Sequence, residues 1–181
     1  SLDLSENTNL NWLNCQFTGL QGNLDLSNNT LLTYLKAKGN YLTSLSLGSD
    51  SLITYFNLES NQIYALDLSN FTSVTYCNLK NNQLTSVDAS NCASIKYLFL
   101  ENNDLHTLNF KNGNNTAVTL FKSTGNSNLA CIEVDDPIYS STSSSWYKSS
   151  WSSYSVNCSL AGCMDALACN HDPSAWVDSN C

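Results

Sequence analysis

Residues able to do chemistry are few. His106 and His171 are the only imidazoles, and neither stands near a nucleophile in an interpretable arrangement. No phosphate loop, zinc-ligand spacing, dinucleotide fingerprint or catalytic-triad pattern occurs, so no residue is nominated as catalytic. The ending GCMDALACNHDPSAWVDSNC carries Asp165, Asn170, Asp172 and Asp178. Hard oxygen ligands on a compact loop suit Ca²⁺, the one cofactor these residue types point to; otherwise they cap turns through their own backbone. The eight cysteines divide. Cys15, Cys77 and Cys92 lie among repeated segments and read as buried free thiols, with a Cys77–Cys92 bridge as the less favoured alternative. Cys131, Cys158, Cys163, Cys169 and Cys181 crowd the last 51 residues and read as disulfides, with Cys131–Cys158 and Cys163–Cys181 the preferred pairs. Disulfides imply an oxidising, extracytoplasmic site.

A second group of residues is suited to binding rather than catalysis. Trp12, Tyr34, Tyr55, Tyr76 and Tyr97 each stand two places after an apolar residue, and in the next copy of the segment Leu120 takes their place. Asn14, Lys36, Asn57, Asn78, Phe99 and Lys122 follow two places further on, and Lys38, Glu59, Lys80 and Glu101 alternate in sign beyond. Opposite charges on adjacent strands would pair across them, each exposed pair contributing under about 1 kcal/mol. The aromatic column forms one surface only if its residues lie on neighbouring parallel strands.

The repeat supplies that condition. The pattern apolar-x-x-apolar-x-apolar-x-x-Asn-x-apolar begins at Leu10, Leu32, Ile53, Val74, Ile95 and, stretched by one residue, at Val118, with intervals of 22, 21, 21, 21 and 23 residues. A fixed period near 20 marks a leucine-rich-repeat solenoid, in which stacked repeats bury together what none can bury alone. The fold class predicted is a β-rich solenoid of repeats of about 21 residues with short parallel strands and a disulfide-closed C-terminal cap. Within each repeat the central triplet (Leu35/Ala37, Phe56/Leu58, Cys77/Leu79, Leu98/Leu100) alternates as a strand. The recurring Asn40, Asn61, Asn82, Asn103 and Asn126 fall where the chain bends inward, where an amide can satisfy turns above and below. Thr18 replaces this asparagine in the first repeat, which predicts a looser end. Second half-repeats such as Leu24-Asp25-Leu26, Leu66-Asp67-Leu68 and Val87-Asp88-Ala89 read as further strands or extended turns, with no helical period.

The organisation expected is a solenoid over residues 1–130, a cap over 131–158 covered by Trp146, Tyr147, Trp151 and Tyr154, and a small cystine-rich appendage over 159–181. Asp135 and Asp136 read as turn residues. The opening SLDLSENTN resembles the second half of a repeat, as in a trimmed or mature piece of a longer chain. Net charge is −8 and arginine is absent, so nucleic acid and anionic membrane are improbable partners; no run of 18 apolar residues exists, so no membrane insertion is expected.

The repeats LDLSNNT and LTYL, the segment CIEVDDPIYS and the cystine-rich ending resemble secreted leucine-rich-repeat proteins of Bacteroidota, over almost the whole chain. That resemblance implies export by the type IX secretion system and a non-catalytic adhesion or recognition role at the cell surface. It also implies O-glycosylation at Ser51, within Asp50-Ser51-Leu52. The family's tail motif ends Asp-Asp-Gly-Ser-Cys; here Val177-Asp178-Ser179-Asn180-Cys181 departs from it, which counts against calcium. The function expected is extracellular binding of a protein or glycan through Trp12, Tyr34, Tyr55, Tyr76, Tyr97, Asn57, Asn78 and Phe99. The alternatives are an architectural subunit or spacer of a larger surface assembly or filament, and an accessory domain of a secreted enzyme.

Overall fold

The computed structural model describes residues 2–48 and 52–158 and, beyond them, only the backbone of the strand pair Ala161–Gly162 and Val177–Asp178. Strands are numbered along the chain. The first wall is a seven-stranded parallel sheet of β1 (Trp12–Asn14), β3 (Tyr34–Lys36), β5 (Tyr55–Asn57), β6 (Tyr76–Asn78), β8 (Tyr97–Phe99), β10 (Leu120–Lys122) and β12 (Trp146–Tyr147), in that order. The opposite wall is built in two pieces: β2 (Gln21–Leu26) with β4 (Tyr41–Leu47), and β7 (Ser86–Asp88), β9 (Thr107–Asn109), β11 (Cys131–Glu133) and β13 (Ser153–Ser155). This is the leucine-rich-repeat solenoid of about 21-residue turns that the period requires.

Register follows the repeat residue for residue: Leu13, Leu35, Phe56, Cys77, Leu98, Phe121 and Trp146 succeed one another across the first wall. From Leu35 onward these side chains are buried, and they meet Leu24, Leu26, Val87, Leu108 and Ile132 from the second wall in one continuous core. The two pieces of the second wall are separated at residues 63–68, which form no strand. There Leu45, Leu47 and Leu66 are only half-buried, and with Phe71 they border a cavity of about 110 Å³.

Asparagine holds the coils in register. Asn82 donates to the carbonyls of Leu58 (3.0 Å) and Leu79 (3.0 Å) and accepts from the amide of Ile63 (3.1 Å). Asn61, Asn103 and Asn126 repeat this triple bond one rung apart. Thr18, at the first rung, donates its hydroxyl to the Cys15 carbonyl at 2.7 Å, and Asn40 completes the turn by accepting from the amides of Thr18 and Leu20. The residue before each member of the column is left-handed: Phe17, Gly39, Ser60, Asn81, Asn102 and Gly125 all have φ between 54° and 79°. Glycine and asparagine enter that region at little cost, whereas Phe17, exposed and bulky, is strained there.

The segment expected to cap the solenoid continues it by one rung. β12 extends the first wall by pairing with β10, and β11 and β13 extend the second. The apolar spacing there is masked by serine, but the inward positions are filled by Trp146 and Tyr154. Trp146 packs on Phe121 at 4.9 Å and on Phe110 at 5.5 Å. Tyr147 and Trp151, also expected to cover the end, are exposed. A helix, α1 (Pro137–Thr142), replaces the usual turn; Asp136 caps it by accepting from the amides of Ile138 and Tyr139, and Pro137 fits its first position. Asp135 accepts from the amides of Gly113 and Asn115 in the preceding rung. The Cys131–Cys158 disulfide is present, with 5.7 Å between Cα atoms. Cys15, Cys77 and Cys92 are free and buried, so the Cys77–Cys92 bridge does not form.

Candidate functional site

Parallel in-register pairing puts the aromatic column on one outer surface. Trp12 stacks on Tyr34 at 5.3 Å between ring centroids, Tyr34 on Tyr55 at 4.4 Å, and Tyr55 on Tyr76 at 4.5 Å, with interplanar angles of 15°, 9° and 5°. One pairing per rung fixes this geometry, since planar side chains at neighbouring register positions are held near the inter-strand spacing of about 4.8 Å. The rings therefore cover one another's faces. Along the row, what meets solvent is ring edges and phenol hydroxyls. Burial raises the affinity of the Tyr34 and Tyr76 hydroxyls for their protons, helped by the Tyr55 phenol beside each. These groups stay neutral donors well into alkaline solution.

The row changes character at both ends. Trp12 is 53% exposed. At the other end Tyr97 is tilted by 41° from Tyr76, with centroids 6.0 Å apart. Phe99, in the column of Asn57 and Asn78, brings its ring to 5.6 Å from Tyr76 beside this tilt. Tyr97 is 38% exposed. Lys122, in register beside Phe99, lies over the exposed Tyr147 ring at 5.4 Å. Phe99, Lys122 and Tyr147 thus continue the surface past the point where the tyrosine column gives way to Leu120.

Asn57 and Asn78, grouped with the aromatics from the sequence, are buried. Asn57 accepts from the amide of Glu59 and Asn78 from that of Lys80, while Asn78 also donates to Glu59 at 3.0 Å. These amides are committed to shaping the bend after each strand. The charge alternation yields one ion pair among the described residues, Lys38 to Glu59 at 2.9 Å. Glu101 is buried, and its Oε2 has no hydrogen-bond partner.

The remaining expected sites receive no geometry. Ser51, Cys163, Asp165, Asn170, Asp172 and Cys181 lie outside the described residues, as does the side chain of Asp178. Among the described residues no group of His, Cys, Asp or Glu is arranged to hold a metal ion, and no helix is long and apolar enough to cross a membrane.

No protein-family model matches the chain, and no curated protein sequence matches it. Among solved structures it is similar to the functional domain of InlJ from Listeria monocytogenes, described as including a cysteine ladder. Identity is 23% and the TM-score 0.60, covering 82% of this chain and 36% of that one, so this chain spans about a third of that structure's length. The likeness is one of fold. No cysteine stack forms among the described residues here: Cys77 is flanked in register by Phe56 and Leu98, and Cys15 belongs to a different column.

Proposed function

We propose that the protein is an extracellular, non-catalytic binding module whose first wall recognises a protein or glycan partner. The observation that carries this reading is the aromatic row from Trp12 to Tyr97, about 20 Å long, on the outer surface of a parallel sheet. Large aromatics presented without loss of side-chain entropy are favourable contact residues. The row's stacked interior favours contact by edges and hydroxyls over face stacking on sugar rings. Face contact remains available at Trp12 and at the Tyr97–Phe99 break. Cys131–Cys158 supports an oxidising location. Secretion by the type IX route, in the manner of the Bacteroidota proteins the sequence resembles, and O-glycosylation at Ser51 belong to the same proposal, as does calcium in the appendage.

The test immobilises the chain and measures retention of a glycan array and a panel of purified extracellular proteins, wild type against Tyr55→Ser/Tyr76→Ser and Tyr97→Ala/Phe99→Ala. At least tenfold weaker retention by both variants, with unchanged circular dichroism, is the expected result. Equal retention by all three proteins would reduce the row to a sheet-stabilising ladder. An architectural role is favoured by the regular register of the wall, and it is distinguished by contacts made through the last rung rather than the aromatics.

A further inference from the structure

Charge is distributed very unevenly between the two walls. Counting each strand of the first wall with the residue before it and the two after, that wall holds six of the seven lysines (36, 38, 80, 96, 122 and 148) and two of the fifteen acidic residues, Glu59 and Glu101. Six minus two gives +4, and the rest of the chain carries −12 of the total −8. Both glutamates are withdrawn: Glu59 is tied to Lys38 and Asn78, and Glu101 is buried. Lys38 is committed to Glu59, and Lys148 donates to the carbonyls of Ser149 and Ser152, so the wall offers the ammonium groups of Lys36, Lys80, Lys96 and Lys122 with phenol donors and the electropositive edges of stacked rings, a chemistry that fits carboxylates.

The second wall offers carboxylates at a matching interval. Asp3, Asp25, Asp67 and Asp88 occupy the same position of successive half-repeats, with Ser46 in the one gap, and all four are exposed. Each is held by a backbone amide two residues on, donated by Ser5, Ser27, Ser69 and Ser90 respectively, at 2.8–3.0 Å through one oxygen. Each carboxylate remains exposed with that bond in place. The first-wall row advances by one strand spacing per rung, about 4.8 Å, and the aspartates follow the same repeat, with Asp67 in the stretch that forms no strand. An extended peptide presents same-face side chains every 6.6–6.8 Å, roughly twice its rise per residue, and falls out of step with such a row. A second solenoid of the same pitch stays in step along its whole length.

We propose that the partner of the first wall is a second copy of this chain, its aspartate row laid along the lysine and tyrosine row. This rests on the reading of the first wall as a binding surface. Front joined to back is a heterologous contact, so it leaves one free face at each end and propagates as an open filament rather than closing as a dimer. Association is electrostatic, and it therefore weakens as salt rises.

Sedimentation velocity on the whole chain tests this at 20 mM and 500 mM NaCl over a wide concentration range. At low salt the weight-average mass of the wild type is expected to climb with concentration without a plateau at dimer, and to fall to monomer at high salt. A front variant, Lys36→Glu/Lys80→Glu/Lys122→Glu, and a back variant, Asp25→Asn/Asp67→Asn/Asp88→Asn, should each lose at least tenfold in self-association. The asparagines keep the oxygen that accepts the serine amide, so the back variant keeps its turns. An equimolar mixture is expected to form a one-to-one dimer and nothing larger, because only one front and one back remain intact. A wild type that stays monomeric at low salt overturns the proposal, as does a mixture that fails to pair. If that monomer still binds polygalacturonate or poly-glutamate through the tyrosines, the wall remains a binding surface and only the choice of partner has failed.

Discussion

Asn82→Ala removes the central member of the buried amide column. Its side chain makes two bonds to carbonyls, Leu58 and Leu79, and receives one from the amide of Ile63. The losses are unequal. Leu58 still accepts from Asn61 and Leu79 from Asn103, so each carbonyl keeps a partner. The Ile63 amide has only Asn82 as its acceptor, and Ile63 is fully buried. Stranding that donor costs about 1–3 kcal/mol, and the two carbonyl bonds contribute about 0.5–1.5 kcal/mol each, so the sum is about 2–6 kcal/mol. For a chain of this size that lowers Tm by roughly 4–24 °C. Asn91→Ala is the control: its amide makes one exposed bond, to the Ser69 carbonyl at 3.2 Å, and should cost under about 1 kcal/mol. Asn82→Asp sharpens the test, because a carboxylate can still accept from Ile63 but faces the Leu58 and Leu79 carbonyls with no hydrogen to give. Protonation restores a donor, so the folded form of that variant binds its proton more tightly than the unfolded form. Its deficit is full at pH 7 and shrinks as pH falls. Urea titrations of the four proteins followed by circular dichroism measure all of this. A loss below 1 kcal/mol in Asn82→Ala would refute the claim that the column locks rung to rung.

Two further outcomes follow from buried thiols and exposed turns. Burial pushes the thiols of Cys15 and Cys77 upward and that of Cys92 to about 12, so a thiol-specific disulfide reagent at pH 8 should label none of the three until denaturant is added. Rapid labelling of Cys92 in the native protein would contradict its placement in the core. The carboxyls of Asp3, Asp25 and Asp67 are held below 3.8 chiefly by the amides of Ser5, Ser27 and Ser69. A depressed carboxyl contributes stability that is present above its unfolded value and lost as pH falls through the lower, folded one. The acid limb of the stability profile should therefore lie below pH 4 and flatten in Asp3→Asn/Asp25→Asn/Asp67→Asn. An unchanged limb would show that other carboxylates set it.

The period made most of the solenoid legible. Residues repeated at 21-residue intervals had to share register, which placed the tyrosines on one wall and the asparagines at one bend before any coordinate was known. Cys131–Cys158 was legible from position, since both cysteines bracket the segment after the last clear repeat. The last rung was not, because its inward residues are Trp146 and Tyr154 where the pattern calls for leucine, and serine fills the positions between. Asn57 and Asn78 were misplaced because alternation along a strand assigns them outward, whereas the left-handed residue at 60 and 81 turns the chain inward at once and draws the amides under the bend. The inward fate of Glu101 left no trace in charge alternation, which records sign but not depth.

Ring orientation was the property of the site least accessible to sequence, and it changes what the site can do. A column of identical planar residues suggests an exposed aromatic platform, yet parallel register obliges the planes to stack, and each ring then hides the next. The more perfectly the repeat is copied, the less aromatic face it exposes. Accessible ring surface arises where copying fails: at Trp12, where tyrosine gives way to tryptophan, and near Phe99, which stands where the column carries a buried asparagine and beside which Tyr97 leaves the stack. Substituting Phe99 with Asn would restore the regular column, so it should bring the Tyr76 and Tyr97 rings toward the parallel arrangement of Tyr55 and Tyr76 and reduce the exposure of Tyr97. A crystal structure of that variant with Tyr97 still tilted would show that the tilt belongs to the twist of the wall and not to the phenylalanine.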